Sequence, residues 1–280
     1  MPLAPSPAGL PHGADNRHVF VDSHCHLSSP ELVGRIPEIR AAMQQASVDR
    51  ALCICTTLDE FDLVHDLALN NDGFWCSAGV HPDEEDSREP TVDGLVALTQ
   101  LEKVVAIGET GLDYYRLAGR ALADMEWQRE RFRVHIRAAR LSGRPLVIHT
   151  RSASADTLRL IREEQGGDAG GVFHCFTETA EVARAALDLG FHISFSGILT
   201  FKNASDLRDV AAFVPLDRCL IETDSPYLAP MPFRGKVNTP ANVPLVARQL
   251  ADVKAVSIEQ IASATSLNFE RLFLRTVPRS

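Results

Sequence analysis

With 280 residues, 45% of them apolar, the chain is long enough to bury one large core, and it is close to the roughly 250 residues of a (β/α)8 barrel. A formal net charge of −9 argues against a protein that grips duplex nucleic acid by bulk electrostatics. No apolar run approaches the ~20 residues that a membrane span needs.

Residues 1–17 are rich in Pro, Ala and Gly and lack the basic and apolar regions of an export signal. They read as a flexible extension ahead of a fold at 18–280, in a cytoplasmic protein. A strand is expected at His18–Asp22, a helix at Ile36–Ala46, a strand at Arg50–Thr56 and a helix at Phe61–Leu69. Strands at Phe74–Val80 and Val104–Gly108 come next, then a long helix at Leu122–Leu141. Strand and helix alternate from there: Pro145–Ile148, Thr157–Glu163, Gly171–Phe173, Val182–Leu189, Phe191–Phe195, Leu207–Phe213 and Cys219–Glu222. Two more helices fit Val243–Leu274, and Gly143 and Gly190 stand where helices should stop.

The strands are continuous apolar runs, as in parallel sheets covered by helices on both faces. An open doubly wound sheet is the rival architecture. Eight strands, with no G-x-G-x-x-G after the first, favour a single-domain (β/α)8 TIM barrel.

The chemistry-bearing residues stand at strand ends. Asp22-Ser23-His24-Cys25-His26 closes the first run, and two imidazoles two residues apart on a strand reach one ion together. Glu109 follows the fourth strand, His149 the fifth, His174 the sixth and Asp224 the eighth. A barrel brings these ends to one mouth, which points to a metal site there. Cys53 and Cys55 share a strand face and read as small apolar core residues rather than a zinc site.

The chain resembles the TatD-type metal-dependent deoxyribonucleases of the amidohydrolase superfamily. The resemblance lies in DSHCHL (22–27), GVHP (79–82), GETGLDYY (108–115), HTR (149–151), FHCF (173–176), SFSG (194–197), ETDSPYLAP (222–230) and RGK (234–236). It implies that His24 and His26, with Asp224, hold one metal, that His149 and His174 hold the other, and that Glu109 bridges them. The family often continues R-G-K-R-N-E-P, where this chain has Val237, Asn238, Thr239 and Pro240, losing a cation and a carboxylate. Ser152 replaces a frequent acid after HTR. Both departures bear on substrate preference more than on the metals.

The expected cofactor is a pair of divalent ions (Zn, Mg or Mn), and the expected reaction is phosphodiester hydrolysis, 3′–5′ exonuclease-like, on DNA bound at the mouth. Two ions about 3.5–4 Å apart activate water and polarise a phosphoryl oxygen. Asp224 is the candidate to orient that water and take its proton, and Glu109 has an oxygen for each ion. No membrane and no obligate protein partner are implied. The alternative is ester or amide hydrolysis, such as deacylation of a D-aminoacyl-tRNA. Many amidohydrolases bridge their metals with a modified Lys on the fourth strand, and Glu109 in that place favours the phosphodiesterase. An inactive metal-binding scaffold is the third reading, disfavoured because every family ligand is kept.

Around the mouth, His81 is expected to contact substrate or support a ligand, and Arg151 to fork onto a phosphate. Tyr114 or Tyr115 is expected either to meet a base or phosphate or to pack between helices, and Ser196-Gly197 to admit a ligand or pack a loop. His12, His18, His65, His135 and His192 read as non-functional, and Trp75 and Trp127 as packing residues. The stripe Arg129, Arg131, Arg133, Arg137 and Arg140, interleaved with Glu126 and Glu130, reads as a solvated face.

Overall fold

The structure is a computed structural model that describes residues 19–117 and 119–274. The expected 1–17 extension, His12 and His18 lie outside the described residues. Eight parallel strands follow one another in chain order around a nearly closed (β/α)8 barrel. They are β1 (Phe20–Cys25), β2 (Val48–Cys53), β3 (Phe74–Ala78), β4 (Val104–Asp113), β5 (Leu146–Arg151), β6 (Gly171–Phe173), β7 (His192–Phe195) and β8 (Cys219–Ile221). The outer helices are α1 (Ile36–Gln45), α2 (Phe61–Leu69), α3 (Val92–Leu98), α4 (Glu126–Ser142), α5 (Ser154–Glu163), α6 (Ala180–Asp188), α7 (Ser205–Phe213), α8 (Val243–Lys254) and α9 (Ile258–Phe273).

Most bounds shift by a few residues, as with β1, β5, α4 and α5, and the two larger departures are α3 and β4. Helix α3 was not anticipated: it is seven residues long with Gly94 inside, too short to show a period. The Thr91 hydroxyl caps it by accepting from the Gly94 amide at 3.1 Å. Strand β4 continues past Gly108 to Asp113. Its glycines look like turn signals, but Gly111 lies against His149 with a φ of +134°, and a Cβ there would meet the His149 carbonyl oxygen at 1.9 Å. Glycine permits the close approach that keeps β4 paired with β5 beyond Glu109.

Side chains alternate across the strands, and this separates two cores. Outward residues such as Cys25, Cys53, Ile148, Phe173 and Ile221 pack under the helices. Inward residues Val21, Leu52, Val105, Val147, Val172 and Leu220 fill the lower barrel, where Phe269 and Phe273 of α9 plug its N-terminal end. Cys53 and Cys55 are buried in the outer core, and the potential metal-binding groups among the described residues contain no cysteine.

The seam between β1 and β8 has one isolated bridge, Cys25 to Ser225. Side chains complete it. Ser23 donates to the Ile221 carbonyl at 2.9 Å. Asp22 accepts from the Thr223 amide at 2.9 Å, from its hydroxyl, and from the His24 amide at 3.2 Å. Burial pushes the Asp22 carboxyl up to about 8, against the lowering effect of those bonds.

The basic stripe on α4 is only partly a solvated face. Arg129 and Arg131 are buried. Arg131 donates to Glu89 and, at 2.9 Å, to the His81 carbonyl, so it fixes the loop after β3. Arg133 and Arg137 pair with Glu126, Glu130 and Glu164 as a helix-surface network.

Candidate metal centre

Each strand delivers its donor by the same alternation. On β5, Val147 points into the barrel, and so do His149 and Arg151 above it. On β6, Val172 leads to His174, and on β8, Leu220 leads to Glu222. On β1 the pairing slips in register between Asp22 and Cys25. Across that irregularity the inward phase moves from Val21 and Ser23 to His24 and His26, while Cys25 turns outward. Asp224 adopts a left-handed φ of +56°, an uncommon conformation for a residue with a side chain. Its amide donates to the His24 carbonyl at 3.0 Å, fixing the loop to β1.

Glu109 stands at the middle, 2% exposed, with its two oxygens facing different partners. Oε2 is 3.2 Å from His24 Nε2 and 3.7 Å from His26 Nε2. Asp224 Oδ1 completes that group, 3.6 Å from His24 Nε2 and 3.3 Å from His26 Nε2. Oε1 is 2.7 Å from His174 Nε2 and 3.4 Å from both His149 Nδ1 and His81 Nε2. Four donors about 2.0–2.1 Å from one ion stand about 3.4 Å apart in a tetrahedron. Most of these separations fall near that value.

Charge tells the same story. Burial alone raises the Glu109 carboxyl, yet the charges of His174, His24 and His81 and the His149 hydrogen bond hold it well below the usual range. His174 runs the opposite way: burial lowers it, and Glu109 and Glu222 raise it well above its ordinary value. Burial and the neighbouring His174 charge lower His24. Glu109 Oε2 and His174 Nε2 are buried without a well-directed hydrogen bond. An ionised carboxylate that draws positive charge onto the imidazoles around it, with buried valences unspent, is a place divalent cations fit in exchange for those protons.

Two carboxylates that sequence reasoning did not assign hold the histidines. Asp113 Oδ2 is 3.0 Å from His149 Nε2, which leaves Nδ1 facing Glu109. Glu222 Oε1 accepts from the Cys175 amide at 2.8 Å and lies 3.3 Å from His174 Nδ1, which leaves Nε2 facing Glu109. A carboxylate on the far ring nitrogen fixes tautomer and orientation in metal-binding histidines. The signal was present in the sequence: Asp113 and Glu222 lie inside GETGLDYY and ETDSPYLAP.

The mouth above is a cavity of about 760 Å³. Its wall includes His81, Arg151, Arg116, Arg120, Tyr227 and one side of Trp127, which packs against the core as expected and lies under Arg131 at 4.9 Å. Arg151 is exposed and lies over the Tyr115 ring at 3.6 Å. Of the two expectations for Tyr114, its position fits packing between helices rather than a substrate contact. It is 7% exposed and off the cavity wall, its hydroxyl donating to Asp156 at 2.8 Å and accepting from Arg129 at 2.9 Å. Gly197 makes room for a loop: a Cβ there would meet the Leu228 carbonyl oxygen at 1.9 Å. Val237, Asn238 and Thr239 are buried under the loop after β8, where Asn238 donates to the Thr223 and Tyr227 carbonyls at 2.9 and 2.8 Å.

His135 is structural, accepting from the Val80 amide at 3.0 Å and donating to the Arg131 carbonyl at 2.8 Å. His65 donates to the Glu102 carbonyl at 2.8 Å, and His192 begins β7 at the far end of the barrel.

A (β/α)8 barrel that gathers imidazoles and carboxylates at its C-terminal mouth has the build of a metal-dependent hydrolase. The family model described as TatD related DNase matches residues 21–274. The metal-dependent hydrolase YcfH of Escherichia coli K12 is 48% identical over 258 residues, covering 91% of this chain and 95% of that one. A protein of Citrobacter rodentium described as the 3′-5′ ssDNA/RNA exonuclease TatD is 33% identical, over 90% of this chain and 97% of its own. The crystal structure of the TatD homologue YJJV from E. coli K12 superposes with a TM-score of 0.84 at 27% identity, over 92% and 98% of the two chains. The chain belongs to the TatD family of metal-dependent hydrolases.

Proposed function

We propose that the protein is a two-metal phosphodiesterase that shortens single-stranded DNA from its 3′ end. The observation that carries this reading is Glu109, whose two oxygens face separate donor groups. His24, His26 and Asp224 would hold one ion, His149 and His174 the other, and Glu109 would touch both. The exonuclease described at 33% identity supports the direction and substrate class. Two divalent cations (Mg, Mn or Zn) would supply a water acidic enough to ionise at neutral pH and would polarise the phosphoryl oxygen.

The chain's own residues do the rest. Burial raises the Asp224 carboxyl, but the His26 hydrogen bond and the His24 and His174 charges pull it below its ordinary range. It is therefore ionised at neutral pH and able to accept the proton of an attacking water. Arg151 lies at the mouth as a planar fork for a phosphate, with Arg116 and Arg120 on the same wall. Arg120 is paired with Glu85 at 2.7 Å and Arg116 stands 3.9 Å from Asp83, so on a chain of net charge −9 the positive field at the mouth would come largely from the bound cations. His81 Nε2, 3.4 Å from Glu109, either joins the second donor group or holds a substrate oxygen.

The test is a 5′-labelled single-stranded oligonucleotide, incubated with chelated protein and then with Mg, Mn or Zn restored. Stepwise shortening that returns with metal and is absent from His149→Ala supports the reading. Two bound ions without cleavage under any metal overturn it in favour of ester or amide substrates.

A further inference from the structure

At the end of the barrel opposite the metal centre lies a second cavity of about 290 Å³. Its wall runs along the starts of β5 to β8 and the last turn of α9. Three guanidinium groups, Arg144, Arg218 and Arg271, line it together with His192. Such a concentration is unexpected on a chain with 37 acidic and 28 basic side chains, where most arginines of α4 and α5 are paired with carboxylates.

The cavity arginines are not so paired. Among the described residues, Arg144 and Arg271 have no carboxylate partner, and Arg218 donates only to the Gly190 carbonyl, at 3.3 Å. Arg144 is half-buried, and burial, with no compensating partner, lowers its guanidinium below the ordinary value. The cavity wall holds one carboxylate, Asp168, which is turned toward Arg140 at 3.5 Å. A partly desolvated cation without a counter-charge is costly, and its usual resolution is a bound anion. Guanidinium forks match the oxygens of a phosphate in spacing and plane.

We propose that this basal cavity binds a phosphate-class oxyanion between Arg144, Arg218 and Arg271, on the face remote from the active site. Leu272, Phe273 and Pro145 add apolar wall beside the arginines, so the cavity accommodates the phosphate of a monoester as well as inorganic phosphate. Binding there neutralises clustered charge under the α9 plug and stabilises the fold. It does not require the reaction assigned to the mouth.

The experiment is a calorimetric titration of inorganic phosphate into the metal-loaded protein at constant ionic strength, repeated after chelation. Chelation removes binding that depends on the mouth metals, and the phosphate binding that survives it is divided between Arg151 at the mouth and the basal cavity by the variants that follow. Arg271→Glu, at an exposed position, and Arg144→Ala should each weaken that surviving binding at least tenfold, with oligonucleotide cleavage unchanged. Phosphate should also raise the Tm of the chelated parent, and not that of Arg271→Glu. Competition by AMP identifies an organic monoester as the source, and its absence identifies inorganic phosphate. No chelation-resistant binding, or equal binding by parent and Arg271→Glu, would overturn the proposal. Failure of oligonucleotide cleavage would leave it standing, because the two sites are read separately.

Discussion

The two ends of the barrel are built from the same strands and obey opposite rules. At the N-terminal end, Val21, Leu52, Val105, Val147, Val172 and Leu220 meet Phe269 and Phe273 in a plug of apolar side chains. At the C-terminal end, one step along the same strands, His24, Glu109, His149, His174, Glu222 and Asp224 crowd charge on charge. The lower layer can satisfy itself by packing. The upper one cannot, because its buried donors and acceptors lack enough protein partners. Stability is therefore concentrated at one end and reactivity at the other, as expected of a barrel whose loops carry the chemistry.

The largest effect expected at the upper end is that of Glu109→Gln. The shape is kept, but the charge shared by both donor groups is lost. Bound metal should fall by at least one ion per chain, and cleavage by about 10³-fold or more, with the fold unchanged. Elemental analysis beside kinetics checks this, and a variant with both ions and full turnover would show that Glu109 does not bridge. The counterpart at the lower end is Phe269→Ala, which should cost about 3–5 kcal/mol in urea unfolding. Cleavage per folded molecule should stay within twofold. A loss of specific activity as large as the loss of stability would mean that the two ends are not separable.

His135 sits between these extremes, a buried imidazole that behaves as packing. Burial pushes it down to about 4, against the raising effect of its hydrogen bond to the Arg131 carbonyl. The unfolded chain takes up that proton near pH 6.5, whereas the folded one holds out to about 4. The contribution is thus full above pH 6.5 and is lost as pH falls toward 4, by about 3 kcal/mol in all. The urea midpoint of the parent should drop more steeply between pH 7 and 4.5 than that of His135→Gln. Parallel curves would show that His135 does not titrate in this way.

The barrel could be read from the sequence because parallel strands announce themselves as apolar runs, but a continuous run hides which side chains face inward, and the structure separates the two cores. That His24, His26, Glu109, His149, His174 and Asp224 meet at one mouth could be read because strand ends must converge once those runs close. What escaped was set by contacts distant in sequence. Asp113 matters only because β4 stays paired with β5 beyond Gly111, a consequence of backbone approach that a glycine conceals. Glu222 looks like a neighbour of Asp224 until β6 brings the Cys175 amide and His174 to it. Arg129 and Arg131 looked solvated because their partners, Tyr114, Leu122, Glu89 and the His81 carbonyl, come from other elements.

These supporting carboxylates give a finer test of the upper end. Asp113→Asn keeps a group beside His149 Nε2 but removes its charge. It should weaken metal binding or activity about 10–100-fold, less than Glu109→Gln. The loss should be larger in metal titrations than in Tm, because Asp113 acts through His149 and not through the core. Equal metal affinity in Asp113→Asn and parent would reduce the 3.0 Å contact to a passive one.

The smallest expected effect belongs to Tyr114, which sequence reasoning left between a substrate contact and packing between helices and which the structure sets behind the wall. Its hydroxyl links Asp156 on α5 to Arg129 on α4. Burial, with Asp156 nearby, pushes the phenol up to about 12 despite Arg129, so it stays a neutral hydrogen-bonding group throughout the working pH range. Tyr114→Phe removes one donor and one acceptor, but Arg129 retains Glu126 and the Leu122 carbonyl. A loss of about 1–2 kcal/mol follows, visible in urea unfolding. KM and kcat should both stay within twofold, because no atom of Tyr114 lines the cavity. A tenfold rise in KM at unchanged stability would invert the assignment and return Tyr114 to the substrate, with the α4–α5 link displaced when DNA binds.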